Sequence, residues 1–329
     1  MTSVPPARVL TVGETMALLD PTTGGEIESG MHFSLRIAGA ETNFAIAMKR
    51  LGIPVTWVSR LGDDPFGDVV YDTLAAEGID LSYVRRDDSP TGLFFKWRTA
   101  AKSNVIYRRK GSAASHIEPS DVPDPAFDGA ALVHLTGITM ALGPSARATV
   151  VDVASRAHAR GIPVTFDPNY RPGLWSDPDE AAAAQRPSLT FVEWYLCGLE
   201  EGCLLWRATD ADSLFAGLEA AGVGRAVVRI GSKGALVNDS GAVTHVAPER
   251  LEEVLDEVGA GDGFAAGFAY GLTNGWEPTD CARAGNLIAA HALLGTGDWE
   301  TFPYLADVEH SLRPKGDSHG AVGKGGMTR

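Results

Sequence analysis

The chain contains 329 residues, of which 44% are hydrophobic and 21% are charged, which excludes a disordered or fibrous protein. The length accommodates one large α/β domain or two smaller domains. The 42 acidic and 28 basic residues give a net charge of −14, which argues against broad binding of nucleic acid or an anionic membrane.

Short apolar runs alternate with amphipathic segments along most of the chain. The runs predict strands at Val9–Val12, Val55–Val58, Ala131–Leu135, Val164–Phe166, Ala226–Ile230 and Ala235–Val237. The amphipathic segments predict helices at Asn43–Leu51, Phe66–Glu77, Ala146–Arg160, Gly263–Leu272 and Thr279–Leu294. This alternation is typical of an α/β fold with a mostly parallel sheet between helices.

Two segments, Ala17–Ile37 and Thr91–Arg109, lack a helical period, and the second partly alternates between its two faces. We interpret both as strands of a small accessory sheet; the alternative is a pair of surface hairpins. We therefore expect one α/β domain over residues 1–313, with accessory strands from about 14–38 and 90–111. The glycine-rich tail at 314–329 is predicted to be disordered.

The cysteines and the apolar segments bear on the compartment. Cys197, Cys203 and Cys281 form neither a CxxC pair nor a zinc-ligand spacing, so we expect free thiols and a cytoplasmic protein. The first apolar run, Val9–Val12, is too short for a signal-peptide core. The longest uncharged stretch, Gly129–Ala146, contains proline, glycine and histidine, so we expect no membrane span.

The segment Asp256–Gly263, with the sequence DEVGAGDG, precedes a helix of small and apolar residues. The backbone N–H groups of Gly259, Ala260 and Gly261 would point out of that helix N-terminus, where an anion is favoured. Asp262 lies in the first turn. The alternative interpretation is a glycine-rich loop in which Asp262 only starts the helix.

Other glycine-rich nucleotide motifs do not fit this segment. A dinucleotide-binding fingerprint would need a third glycine where Phe264 stands. A Walker loop is absent, because the only Gly-Lys pair, Gly323-Lys324, is followed by Gly325. A dinucleotide-dependent dehydrogenase and a P-loop NTPase are therefore disfavoured.

Taken with Asp256–Gly263, three further motifs in the same order resemble the ribokinase-like (PfkB) sugar kinases. They are Gly39–Asn43 (GAETN), Arg60–Gly67 (RLGDDPFG) and Gly231–Gly234 (GSKG), and the resemblance covers about residues 8–310. It implies a ribokinase-like fold, in which helices flank a central mostly parallel sheet and a small β-sheet forms a lid. It also implies ATP and Mg²⁺, with K⁺ a common further requirement in the family.

Within the family, several segments resemble the kinases of 2-keto-3-deoxygluconate. They are Tyr107–Ala113, His134–Thr139, Asp167–Trp175 and Gly297–Glu300. The resemblance implies substrate-binding roles for Gly39, Ala40, Asn43, Phe94, Tyr107, Arg109, Ile138, Asn169, Arg171 and Asp298.

Arg109 and Arg171 are candidates for binding a sugar-acid carboxylate, because a guanidinium presents a fixed fork to planar oxyanions. Each stands close to a tyrosine, Tyr107 or Tyr170, that can stack or donate. The alternative places Arg109 on a solvated basic edge and Arg171 in a loop salt bridge.

The resemblance also implies a catalytic set and a nucleotide side. Asp262 would accept the proton of the attacking sugar hydroxyl, and the N–H groups of Gly259, Ala260 and Gly261 would hold the developing negative charge. Nucleotide-binding positions are implied at Gly198, Glu201, Arg229, Gly231, Ser232, Gly234, Gly259, Gly261 and Asn286.

The implied cation sites carry one departure from the family pattern. Glu201 would reach Mg²⁺ through water, and Asp256 and Val258 would border a monovalent cation. The family usually has an N-x-x-E segment, whereas here Gly198 stands at the asparagine position and only Glu201 is kept. The contribution of that asparagine is therefore lost or supplied elsewhere.

We expect an ATP-dependent kinase that phosphorylates 2-keto-3-deoxygluconate at its terminal hydroxyl, giving the 6-phosphate and ADP. A fructokinase or another ketose kinase of the family is the alternative. Outside the enzymes, the alternative is a catalytically silent sensor that binds sugar or nucleotide. The expected partners are a sugar acid, ATP and a second copy joined through the lid, with no nucleic acid and no membrane.

Overall fold

A computed structural model describes residues 7–98, 103–249, 255, 258–295 and 297–312. In chain order, the strands of these residues are β1 Arg8–Val12, β2 Met16–Pro21, β3 Phe33–Ala38, β4 Val55–Gly62, β5 Asp80–Asp87, β6 Leu93–Arg98, β7 Ser103–Arg108, β8 Ala130–Thr136, β9 Val164–Asp167, β10 Trp194–Gly198, β11 Arg225–Arg229, β12 Ala235–Asp239 and β13 Ala242–Val246. The helices are α1 Ala40–Arg50, α2 Pro65–Ala76, α3 Gly137–Met140, α4 Pro144–Ala159, α5 Pro178–Leu189, α6 Leu199–Trp206, α7 Ala211–Ala220, α8 Ala260–Thr273, α9 Pro278–Ala292 and α10 Leu305–Leu312.

In the described residues, nine strands form the large sheet in the order β13-β12-β11-β10-β9-β8-β1-β4-β5. The strands from β11 to β5 in this order pair in parallel, and only β12 and β13 join antiparallel at one edge. Apolar side chains are buried on both faces of the sheet, as in β1, where Val9 and Leu10 pack into opposite core layers. The predicted α/β class with a mostly parallel sheet is confirmed.

The smaller sheet has the order β3-β2-β6-β7. Its strands come from the two segments that were predicted to form an accessory sheet. One of its faces carries a buried apolar cluster of Met16, Leu18, Ala38 and Phe94, with Tyr107 packed against it. This sheet is the predicted lid, and we call the face that bears the cluster its inner face.

Asp64 ties the large sheet to the lid. The side chain caps α2 by accepting the Gly67 N–H at 2.8 Å, and Pro65 occupies the first helical position. Its second oxygen accepts the Thr91 N–H at 2.8 Å, just before β6 begins. The Arg60–Gly67 motif therefore fixes where one lid segment leaves the core.

Several elements differ from the predictions. Helix α1 begins at Ala40 rather than Asn43, which places Asn43 in the first turn, and α9 ends at Ala292 rather than Leu294. Strands β5, β10 and β13 and helices α3, α5, α6, α7 and α10 were not predicted. No helix in the described part of the chain is long and apolar enough to cross a bilayer.

Candidate active site

The candidate site lies at one edge of the large sheet. Strands β8, β9, β10 and β11 are adjacent and parallel, so their carboxyl ends meet there, where α/β folds place ligands. The N-terminus of α8 faces the same edge. A cavity of about 310 Å³ is lined by Asp167, Asn169, Arg171, Glu201, Arg229, Val258, Gly259, Gly261 and Asp262.

Gly259, Ala260 and Gly261 form the start of α8, where the first N–H groups have no partner within the helix. Gly259 is the N-cap with a φ of +80°, a left-handed conformation that favours glycine. A Cβ at Gly259 would lie 2.0 Å from the carbonyl oxygen of Asp298. Only glycine therefore allows this close approach. We call Gly259–Gly261 the anion-binding turn after its predicted role.

Asp262 is held at both carboxylate oxygens by amide groups. Asn43 Nδ2 donates to Oδ2 at 2.8 Å, and Asn169 Nδ2 donates to Oδ1 at 3.3 Å. Burial raises the pKa of Asp262 to about 7, and the negative charges of Asp167 and Asp298 act in the same direction. A carboxylate with a pKa near neutrality suits a general base.

Beside Asp262, an ion-pair network crosses the cavity. Arg229, the last residue of β11, donates to Asp167 Oδ2 at 2.8 Å and to the Gly261 carbonyl at 3.2 Å. Its other terminal nitrogen lies 3.8 Å from Glu201. Burial and the charge of Asp167 raise the pKa of Glu201. Arg229 therefore offsets part of the negative charge of two carboxylates next to the start of α8.

Glu201 is positioned by the turn that begins α6. Its carboxylate accepts the backbone N–H of Tyr170 at 2.5 Å and that of Gly198 at 3.1 Å. Gly198 thus contributes a backbone donor where the family pattern has an asparagine side chain. The structure places Gly198 and Glu201 together, but Gly198 is not among the residues that line the cavity.

The other predicted nucleotide positions lie beyond the cavity lining. Gly231, Ser232 and Gly234 form the turn between β11 and β12, with a φ of +61° at Gly231 and +95° at Gly234. Asn286 on α9 donates to the Ala247 carbonyl at 2.8 Å. Val258 lines the cavity, whereas Asp256 lies outside the described residues.

Most of the residues predicted to bind sugar lie on the inner face of the lid, in α3 and at the start of α1, outside the lining of this cavity. The rings of Phe94 and Tyr107 stack at a centroid distance of 4.9 Å. Ile138 is buried in α3, and Gly39 and Ala40 lead into α1. A Cβ at Gly39 would lie 2.5 Å from the Glu14 carbonyl oxygen, so the chain needs glycine there.

Arg109 is almost completely buried, with 6% of its surface exposed. It forms an ion pair of 2.5 Å with Glu14, which also accepts the Ser112 hydroxyl. Its Nε and Nη1 atoms are buried and have no hydrogen-bond partner within the described ranges. Two interpretations of Arg109 were considered from the sequence, a substrate clamp and a solvated basic edge. Neither included this internal ion pair.

Arg171 has a different environment. It is exposed, lines the cavity and donates to the Tyr170 carbonyl at 3.2 Å. Among residues that the structure describes, no carboxylate forms an ion pair with it. The loop salt bridge that was considered as the alternative is therefore not found there.

Asp298 belongs to a junction between core and lid, the segment Gly297–Glu300. Lys96 on the lid lies 3.7 Å from Asp298, and Arg36 lies 3.2 Å from Glu300. Trp299 Nε1 donates to the Ile37 carbonyl at 3.2 Å. The lid therefore contacts this junction through strands β3 and β6.

Arg50, at the end of α1, holds the same junction from the core side. Its Nη1 donates to the carbonyl oxygens of Trp299, Glu300 and Phe302 at 3.3, 3.2 and 2.9 Å. The guanidinium also pairs with Glu77 at 2.8 Å. This one side chain fixes the backbone that carries Asp298.

Three site residues were not predicted: Glu14, Lys96 and Asp167. Glu14 and Asp167 are polar residues at or just after the carboxyl ends of buried strands, a position that often carries function in parallel sheets. Lys96 shares an alternation with Phe94, which was predicted as a site residue. These two signals in the sequence could have identified all three.

Comparisons with known proteins decide the family. Residues 6–303 match the model of the family described as pfkB family carbohydrate kinase. The chain belongs to the PfkB family of carbohydrate kinases. The predictions of a ribokinase-like fold and of a sugar kinase are thereby confirmed, and the silent sensor is no longer needed as an explanation.

Two curated relatives and one solved structure show which proteins this chain is similar to. The 2-dehydro-3-deoxygluconokinase of Bacillus subtilis is 32% identical over 89% of this chain and 92% of its own. The 2-dehydro-3-deoxygalactonokinase of Haloferax volcanii is 34% identical over 84% of this chain and 88% of its own. The crystal structure of a PfkB protein from Polaromonas sp. JS666 has 36% identity and a TM-score of 0.81, covering 89% of this chain and 98% of that one.

Proposed function

We propose that this PfkB kinase transfers the γ-phosphoryl group of ATP to the terminal hydroxyl of 2-keto-3-deoxygluconate, giving the 6-phosphate and ADP. The observation that carries the proposal is Arg171, a cavity guanidinium that forms no ion pair with a carboxylate in the described residues. A neutral ketose gives such a charge nothing to pair with, whereas a sugar acid supplies a carboxylate. The relative from Bacillus subtilis supports the same substrate.

The two arginines contribute differently to binding. Arg171 is a positive charge that forms no ion pair in the described part, although it acts electrostatically on Asp262. Arg109 forms a neutral pair with Glu14, and its free Nε–H and Nη1–H groups are hydrogen-bond donors rather than an unbalanced charge. We infer that Arg171 anchors the carboxylate and that Arg109, with Tyr107 beside it, donates to substrate oxygens.

In the proposed chemical step, Asp262 accepts the proton of the terminal hydroxyl as its O–H bond breaks. The hydroxyl oxygen forms a bond to the γ-phosphorus, and the bond from that phosphorus to the bridging oxygen breaks, so that ADP leaves with the electron pair. The N–H groups of Gly259, Ala260 and Gly261 stabilise the negative charge on the transferred group. A pKa of about 7 leaves Asp262 able to accept a proton near neutral pH.

Mg²⁺ bound with ATP would neutralise phosphate charge. The cavity offers the carboxylate oxygens of Asp167 and Glu201, which are suitable hard ligands. No cluster of three or more acidic, cysteine or histidine residues suited to a metal ion occurs in the described residues. We therefore propose that Glu201 holds the ion through water, and that Val258 and Asp256 border a monovalent cation.

The nucleotide is proposed to lie over the turn of Gly231, Ser232 and Gly234, with Asn286 nearby on α9 and Arg229 facing the phosphates. Arg229 is 3.2 Å from the Gly261 carbonyl, at the anion-binding turn. We also propose that the enzyme is cytoplasmic. Its three cysteines are free thiols, and a reducing compartment keeps thiols in that state.

A galactonate-derived sugar acid is a second candidate substrate, favoured by the 34% identity to the Haloferax volcanii relative. A neutral ketose is a third, because the Glu14–Arg109 pair is neutral overall and the free N–H groups of Arg109 can donate to the hydroxyls of an uncharged sugar. All three share the chemistry of Asp262 and differ in what Arg171 contacts.

A kinase assay with both sugar acids and fructose, read by the mass of the phosphorylated sugar, tests the proposal. We expect Arg171→Ala to lose about 30-fold to several thousand-fold in kcat/KM for the acid, and much less for fructose. The KM for ATP should stay unchanged, and Arg171→Lys should recover part of the loss. Equal losses for acid and ketose would reject a sugar acid and leave the ketose kinase.

We also propose that two copies pair through the lid. The face opposite the inner face carries the half-buried or exposed side chains of Leu19, Leu35, Phe95 and Ile106. An apolar sheet face of this kind is stabilised by a second apolar surface. Light scattering should give a dimer or larger assembly, and Leu35→Glu should give a monomer; a monomeric wild type would reject the pairing.

A further inference from the structure

Two asparagines from distant parts of the chain hold Asp262. Asn43 lies in the first turn of α1 and Asn169 follows β9, and their amide nitrogens contact different oxygens of the same carboxylate. Both asparagines are more than nine-tenths buried, with 3% and 7% of their surfaces exposed. We propose that Asn43 and Asn169 are positioning residues that fix the plane of the Asp262 carboxylate against the substrate hydroxyl. The proposal deepens the function argued above, in which Asp262 is the base.

The geometry favours this role over sugar binding alone. A carboxylate held at one oxygen can still turn about the bond that joins it to Cβ, whereas donors at both oxygens define its plane. Each oxygen of Asp262 keeps a further lone pair for a proton. The substrate hydroxyl then meets an acceptor whose direction is already set, which is the condition for an effective near-attack geometry.

The backbone at Asn169 supports the same interpretation. Its φ is +43°, in the left-handed region that asparagine adopts more readily than most residues. Its N–H donates to Asp167 Oδ1 at 2.9 Å, while the other oxygen of Asp167 is paired with Arg229. The direction of the Asn169 amide is thus coupled to the network that borders the anion-binding turn.

Neutral donors suit a base better than charged donors would. A lysine or arginine in contact with Asp262 would lower its pKa by about 1–3 and weaken it as a proton acceptor. Amide groups orient the carboxylate with a smaller effect on its basicity. The charged groups that do act on Asp262 are Asp167, Arg171 and Asp298.

The remaining atoms of the two amides allow contact with substrate as well. The Oδ1 atoms of Asn43 and Asn169 are buried and have no hydrogen-bond partner in the part of the chain described. Asn169 lines the cavity with Asp262. A sugar hydroxyl can donate to such an oxygen while the amide nitrogen stays on Asp262, so positioning and substrate contact are compatible.

The test compares Asn43→Ala and Asn169→Gly, in the full-length enzyme, with the wild type. Alanine suits the helix, and glycine adopts the left-handed conformation at 169 without strain. We expect the rate of the chemical step in rapid-quench experiments to fall about 10- to 100-fold, with the KM for ATP unchanged. The acidic limb of the pH–rate profile should move to higher pH by about 0.5–1, because a donor that stabilised the carboxylate has been lost.

The control is Asn238→Ala, which removes another buried asparagine whose Oδ1 accepts the Gly241 N–H at 2.8 Å in the β12–β13 turn. It should lower the melting temperature and leave both the rate and the pH profile unchanged. A rise in the KM for the sugar, with the chemical rate and the acidic limb as in wild type, would overturn the proposal. So would a wild-type profile in both variants. If Asn169→Gly does not fold, Asn43→Ala alone decides.

The failure of this proposal is distinguishable from that of the proposed substrate. The measurements use whichever sugar is phosphorylated fastest, so an enzyme that prefers fructose still gives a rate and a pH profile. Asp262→Asn provides the reference for loss of the base. If that variant keeps its activity, the base assignment fails and the positioning role fails with it; if it is inactive, only the asparagine variants decide.

Discussion

Glu14 and Arg109 form an ion pair at 2.5 Å in which both side chains are almost completely excluded from water. Burial of two charges is costly, and the pair offsets that cost only while both partners are present. We predict that Arg109→Met lowers the free energy of unfolding by about 3–5 kcal/mol, because Glu14 is left as an uncompensated buried charge. Urea titration followed by circular dichroism measures the change.

The double variant Glu14→Gln/Arg109→Met is the control for this prediction. It removes both charges, so most of the lost stability should return while turnover stays low. If Arg109→Met unfolds at the same urea concentration as wild type, the pair does not carry the buried charge as described.

The second prediction concerns the acidity of Asp262. The base must be ionised to accept a proton, and its pKa of about 7 in the folded protein lies well above the ordinary value of 3.8. We therefore expect kcat/KM to rise with pH through about 7 and to level above it. Asp262→Asn should lower turnover by about 10²–10⁴-fold while ATP still binds, as measured by calorimetry. A profile that is flat between pH 5 and 8 would contradict the role of this carboxylate.

The third prediction separates the two glycines of the anion-binding turn. Gly259→Ala would place a Cβ at 2.0 Å from the Asp298 carbonyl at a φ of +80°, so we expect a clear loss of both stability and activity. Gly261→Ala would place a Cβ 3.4 Å from the Arg229 guanidinium, an ordinary contact distance, so the protein should fold normally and lose mainly activity. Thermal melting and kinase assays distinguish the two.

Gly224→Ala is the matched control, because no atom lies within 4 Å of a Cβ at that position. It should behave as wild type in both measurements. Equal melting temperatures for the Gly259 and Gly261 variants would show that the contact with Asp298 is not tight.

The fourth prediction concerns the junction between core and lid. Arg36→Met combined with Trp299→Phe removes the Glu300 ion pair and the hydrogen bond to the Ile37 carbonyl. The two contacts together stabilise the closed lid by about 1 kcal/mol. Without them, the lid should open about five-fold more often and admit water as an acceptor. The excess of ADP over sugar phosphate, divided by the sugar phosphate formed, measures the ATP lost to water and should rise by a similar factor.

Arg207→Met serves as the comparison, since it removes only an exposed pair with Asp179. The ratio of the two products should stay at its wild-type value in that variant. An unchanged ratio in the junction variant would mean that these contacts do not govern exclusion of water.

The sequence allowed prediction of elements with strong periodicity and of motifs that act locally. Helix α8 and its glycine turn were predicted because the DEVGAGDG segment places glycines directly before a run of small and apolar residues, a local pattern that indicates a helix start able to bind an anion. Strand β5 was missed because charged residues interrupt its alternation, and α5 because a run of alanines and Pro187 give it no clear apolar stripe. Strand β10 was missed because its apolar run is short and ends at Gly198, the first position of the segment that corresponds to N-x-x-E.

Long-range contacts in the site were beyond what spacing could show. Asn43 and Asp262 are 219 residues apart, and nothing local in either motif indicates that an amide of one would hold the carboxylate of the other. The Glu14–Arg109 pair is equally non-local. Asn43 and Arg109 were assigned to sugar binding and Glu14 was left unassigned, because a sequence gives the type of a side chain and not the partner that it contacts.

Helix α1 links two of the features described above. Asn43 near its start holds Asp262, and Arg50 at its end holds the backbone around Asp298, about 10 Å further along the helix axis. A rotation of the helix that released one end would displace the other. In the described residues, the lid approaches Asp262 through Asp298, which lies 3.7 Å from Lys96. We therefore expect that changes of other side chains on the lid's inner face can alter the range of accepted sugars without changing the residues proposed for phosphoryl transfer.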